Sequence, residues 1–72
     1  MSQPEREIDV PPGLRVGVWA NHVDVYGDVE ELTLDFAQLD PRDALKAIVV
    51  ARIVASRPCI IKLMHVLNEA LR

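Results

Sequence analysis

The chain has 72 residues, half of them hydrophobic, with 8 Lys plus Arg against 11 Asp plus Glu and a formal net charge of −3. An acidic domain without a basic cluster is poorly suited to nucleic acid, where phosphate neutralisation dominates affinity, and no apolar run approaches the roughly 18 residues of a membrane span. Cys59 is the single cysteine, so no intrachain disulfide can form, and a domain this small, which buries only about 60% of its unfolded surface, is expected to find support in oligomerisation.

Residues 1–13, "MSQPEREIDVPPG", hold three of the five prolines among charges. Proline cannot donate to a ladder, and the composition is polar, so this stretch reads as a flexible N-terminal tail. Its "IDV" (Ile8 to Val10) offers an alternative, an edge strand added to a neighbouring subunit. The stretch lacks the apolar core of a signal peptide. With one free thiol besides, the chain reads as cytosolic. Residues 14–72 read as a single domain.

The first strand is expected from about Leu14 to Tyr26. In "VGVWANHVDVYG" the residues Val16, Val18 and Ala20 alternate with Gly17, Trp19 and Asn21, then the apolar set changes phase and continues at Val23 and Val25. A one-residue slip moves a strand's side chains to its other face. It predicts a β-bulge at Asn21 or His22, with pairing interrupted between Ala20 and Val23. Gly27 and Asp28 are turn residues, and the short link predicts a hairpin.

The second strand is expected from Glu31 to Leu39. Leu32, Leu34 and Phe36 form one face, and Thr33, Asp35 and Gln38 form the polar complement around Ala37. "DPRD" (Asp40 to Asp43) is a turn with its backbone angle set by Pro41. The third strand, Ala44 to Ala55, puts Leu45, Ala47, Val49, Ala51 and Ile53 on one face and Lys46, Ile48, Val50, Arg52 and Val54 on the other. Its middle is apolar on both sides, and such a strand needs cover on both faces.

A helix follows. Ser56 suits the N-cap, and Pro58 is tolerated in the first turn. Ile60, Leu63, Met64, Leu67 and Leu71 recur at the spacing of one helical face, with Val66 and Ala70 widening it. Ile61 is the exception, an apolar side chain among polar ones. Arg72 is expected in the last turn. The fold class is therefore α+β, a three-stranded antiparallel sheet followed by one C-terminal helix (β-β-β-α). One helix covers one face of the sheet. The simplest cover for the other is a second copy across a two-fold axis, giving a homodimer, or a tetramer by further pairing.

Trp19-Ala20-Asn21, Val23 and Val25, Leu34-Asp35-Phe36 and Pro41 resemble the small prokaryotic domain-of-unknown-function 3467 family. In the helix half, "RPCIIKLM" keeps Pro58 and Lys62, while Arg57, Ile60 and Ile61 replace the family's Ser, His and Ala. The resemblance covers about residues 16–71 and implies a small cytosolic protein of bacteria or archaea, without an activity to carry over. The element order is also loosely similar to subunits of the export chaperone SecB, and fold analogy does not establish function.

Candidate sites are sparse. A structural zinc site takes four ligands, usually in paired close spacings, whereas His22, Cys59 and His65 stand singly. No metal and no cofactor is expected. Cys59 near a helix N-terminus has no base beside it and reads as a structural thiol. Asp35 reads as an exposed residue or as one pairing across the sheet with Arg52 or Lys46. Trp19 and Asn21 share a face and serve either core packing or an interface. Glycine-rich phosphate loops and nucleophile elbows are absent from the sequence.

Catalysis is therefore not expected. The chain reads as a non-enzymatic oligomeric assembly or protein-binding module, with Trp19, Asn21, Ile48, Val50 and Ile61 as candidate interface residues. Two alternatives stay open. One is a chaperone-like binder of unfolded chains. The other is a small enzyme with a site at a dimer interface built on Asp35, His22 or Asn21.

Overall fold

A computed structural model describes residues 6–72. After a single 3-10 turn at Pro12–Leu14 come β1 (His22–Gly27), β2 (Glu31–Asp40), β3 (Asp43–Ser56) and α1 (Arg57–Ala70). The three strands form one antiparallel sheet in the order β1-β2-β3. The expected β-β-β-α architecture is therefore what the chain adopts. Part of the expected tail, residues 1–5, lies outside the described residues, and Ile8 to Val10 form no strand.

Each link between elements has a local cause. In the β1–β2 hairpin the Asp28 carboxylate accepts from the backbone N–H of Glu30 at 3.1 Å and of Glu31 at 3.3 Å. Gly27 enters this turn at φ 137°, and a Cβ there would lie 2.5 Å from the carbonyl oxygen of Glu31. Only glycine fits. In the β2–β3 turn Asp40 accepts from the Arg42 N–H at 2.8 Å. β3 runs into α1 without a loop: the Ser56 hydroxyl caps the helix by accepting from the Cys59 N–H at 3.4 Å, and the Arg57 N–H donates to the Glu30 carbonyl at 2.9 Å.

The first strand is shorter than expected. It begins at His22, eight residues after Leu14, and β1 pairs with β2 without a break from His22↔Ala37 to Gly27↔Leu32. The predicted bulge at Asn21 or His22 is therefore not there. The phase slip marks where pairing starts: the Asn21 N–H donates to the Ala37 carbonyl at 3.0 Å, and the residues before it follow no ladder. Gly17, at φ 78°, takes the chain out of strand geometry upstream.

A bulge does occur, in β3. Phe36 pairs with Ala51 and Ala37 with Val49, which leaves Val50 as the extra residue. Opposed residues share a face of the sheet, so the bulge reverses the phase of β3 upstream of Val50. Ala47 and Val49 consequently lie on the face of Arg52 and Val54, not on that of Ala51 and Ile53 as strict alternation predicts. A second irregularity between Leu39 and Asp40 leaves 44–46 without partners on β2.

The interior is small. Among the described residues Leu34, Ala37 and Asp35 are buried. α1 meets β2 and β3, but only Ile60 and Leu63 along it are half-buried. Met64, Leu67 and Leu71, on the same predicted stripe, are exposed, Leu71 at 83%. A helix that leaves directly from the end of β3 brings only its first turns back to the sheet. It also ends at Ala70, so Arg72 lies beyond its last turn, paired with Glu69 at 3.4 Å.

Candidate functional site

The β1–β2–β3 register places Asp24, Asp35 and Arg52 side by side on one face of the sheet. Asp35, on the central strand, is 6% exposed. A buried carboxylate is costly unless it is paired and hydrogen-bonded, and here both oxygens are occupied. Arg52 donates from Nε to Oδ1 at 2.6 Å and from Nη2 to Oδ2 at 2.9 Å. Tyr26 donates its hydroxyl to Oδ2 at 2.7 Å. The paired guanidinium bonds form the two-pronged contact in which arginine surpasses lysine. Asp24, opposite Asp35, engages His22 at 3.2 Å instead.

The electrostatics follow from this geometry. The Arg52 guanidinium, helped by the Tyr26 hydroxyl, holds the Asp35 carboxyl below its ordinary value. The hydrogen bond to Asp35 and partial burial push the Tyr26 hydroxyl up, and Asp35 likewise raises Arg52. A carboxylate filled on both oxygens and held ionised is a weak proton acceptor. The cluster ties all three strands together on one face. The pairing of Asp35 with Arg52 was one of two cross-strand partners expected. Its burial was not, and Tyr26 was missed. Tyr26 sits diagonally from Asp35 across the hairpin, so only the exact loop length would have exposed it.

The candidate interface residues lie before β1, on β3 and on α1. Trp19 is 68% exposed and precedes β1, outside the core that packing would require; its carbonyl accepts from Gln38 Nε2 at 2.8 Å. The Asn21 side chain accepts from the Leu39 N–H at 2.9 Å, so it anchors the start of β1 to the far end of β2. A shallow, open depression lined by Ala20, Asn21, His22, Val23 and Phe36 lies beside it. Ile48 is exposed and Val50 half-buried on β3, and Ile61 is exposed on α1. Gln38 on β2, which donates to the Trp19 carbonyl, is also the cross-strand partner of Ile48, so the end of β2 lies between Trp19 and Ile48.

Cys59 is a free, exposed thiol. Among the described residues no three His, Cys, Asp or Glu side chains are grouped to hold a metal ion, and no helix is long and apolar enough to cross a membrane. Buried side-chain nitrogens and oxygens of the described residues all have partners. The site is thus a satisfied polar clasp set in a sheet with large apolar exposure.

Fold and clasp together define a small α+β protein built as an antiparallel sheet with one trailing helix. The chain belongs to the DUF3467 family, proteins of unknown function, whose family model matches residues 2–72. No curated protein and no solved structure matches it.

Proposed function

We propose that the chain is a non-enzymatic, self-assembling module that works as a homo-oligomer and presents apolar surface to protein partners. The observation that carries this reading is the surface left uncovered. The chain exposes 6769 Å², against about 4,500 Å² for a compact monomer of its mass. Its radius of gyration is 14.9 Å, against about 11 Å for a compact chain of this length. Residues 6–21, nearly all exposed, account for part of this; within the folded part both faces of β3 contribute, through Ile48, Val49, Ile53 and Val54, as does the distal half of α1. Patches of this kind mark interaction sites. The clasp supports the non-enzymatic part: Asp35, the carboxylate best placed for acid–base work, is fully engaged.

Sedimentation equilibrium at micromolar concentration tests the reading. Twice the chain mass, or a larger even multiple, is the expected result. A compact monomer at that concentration overturns it.

A further inference from the structure

Resting on the self-assembly just proposed, we infer that the outer edge of β3 pairs with the same edge of a second copy, antiparallel about a two-fold axis, so that two three-stranded sheets become one of six. β3 is the longest strand, at 14 residues, and the order β1-β2-β3 leaves one of its sides unpaired among the described residues. An unpaired strand carries a row of free N–H and C=O groups that invites another strand.

The two free edges of the sheet differ in kind. β1 has 6 residues and ends at Gly27; it carries His22 and Asp24. It is short and charged, which blunts an edge. In the stretch of β3 that pairs with β2 through 47–56, the only charged side chain is Arg52, and Asp35 already neutralises it. Ile48, Val49, Ile53 and Val54 are exposed along that same stretch. The edge has no lysine and no proline between 47 and 56, and only the bulge at Val50 interrupts it.

The occupant is a second copy for three reasons. An apolar, β-branched run is complementary to its own antiparallel image, since cross-strand pairs of such residues are favourable. It offers no uncompensated charge by which an acidic or basic peptide would be recognised. Finally, each chain exposes roughly 2,000 Å² more than a compact monomer, part of it along residues 6–21 and part along β3 and α1, and a standard interface takes about 800 Å² from each partner. Pairing β3 with β3 brings both helices and both apolar faces into one body and leaves β1 as the outer edge on each side. The contact is isologous, so it closes at two copies.

Disulfide mapping in the full chain tests this. Cys59→Ser removes the native thiol, and each residue from 47 to 56 is then replaced singly by cysteine, with Val25→Cys on β1 and Met64→Cys on α1 as comparisons. In a two-fold antiparallel pair only residues beside the axis meet their own copies, at about 4.5–5.5 Å between Cα atoms, which a disulfide spans. The expected result is a covalent dimer at one or two neighbouring positions within 47–56 and none at Val25 or Met64. Circular dichroism on each reduced variant keeps misfolded ones out of the comparison, and ten positions leave enough folded ones to locate the axis. A dimer by sedimentation that cross-links at Val25 or Met64 but nowhere in 47–56 overturns the edge pairing and leaves self-assembly standing. Uniform cross-linking along the strand also overturns it. A native chain that sediments as a monomer overturns both.

Discussion

At the scale of single residues the Asp35 clasp sets a measurable dependence on pH. Arg52 and then Tyr26 lower the Asp35 carboxyl from its ordinary 3.8. A group depressed in the folded state contributes stability that is present above its unfolded value and is lost as pH falls through its folded value. The native urea midpoint is therefore expected to fall between about pH 5 and about pH 3 by more than that of Asp35→Asn, which cannot titrate. At neutral pH the variant is expected to be the less stable, because a neutral amide cannot replace a charged partner for Arg52. Parallel acid curves for the two proteins would show that the clasp does not govern acid stability. The pairing of Asp35 with Arg52 was legible because both lie on the polar side of their strands by alternation. The burial of Asp35 was not: it comes from the flanking strands and from Tyr26, whose position depends on the register of the hairpin.

At the scale of elements, apolar runs bounded by turn and cap residues located β2, β3 and α1 to within a residue or two. They failed for β1. A phase slip in an apolar run has two physical readings, a bulge inside a strand or the boundary where a strand begins, and alternation alone does not separate them. The bulge arose instead at Val50, where β3 is apolar on both faces and alternation therefore carries no mark of the phase change. The hairpin is specified more tightly, by Gly27. Gly27→Ala forces a Cβ to 2.5 Å from the Glu31 carbonyl oxygen at φ 137°, and strain of this type costs about 1–3 kcal/mol. Gly13→Ala is the control, because a Cβ there meets nothing within 4 Å; its cost is expected to stay within about 0.5 kcal/mol. Urea midpoints read both. Equal midpoints for the two variants would mean that the turn relaxes without loss.

At the scale of the whole molecule the small interior has a thermodynamic consequence. Leu34, Ala37 and Asp35 are the buried residues of the described chain, and so few buried side chains supply little of the apolar burial that opposes chain entropy. On the self-assembly proposed above, the missing burial comes from a second copy, which makes folding and association one reaction and stability a function of concentration. For a dimer that dissociates as it unfolds, a tenfold rise in concentration adds about 1.4 kcal/mol at the level of the pair. Divided by the unfolding entropy of two such chains, it raises Tm by roughly 4–5 °C. Differential scanning calorimetry over a hundredfold range of concentration is expected to show that slope. The small interior was legible from length, the single cysteine and the two-sided apolar third strand, which one helix cannot cover. The open edge of β3 was not legible, because which edge of a three-stranded sheet stays open depends on strand order. A Tm that stays constant across the range would mean that the three-stranded sheet and its helix hold together alone, against the exposure of both faces of β3.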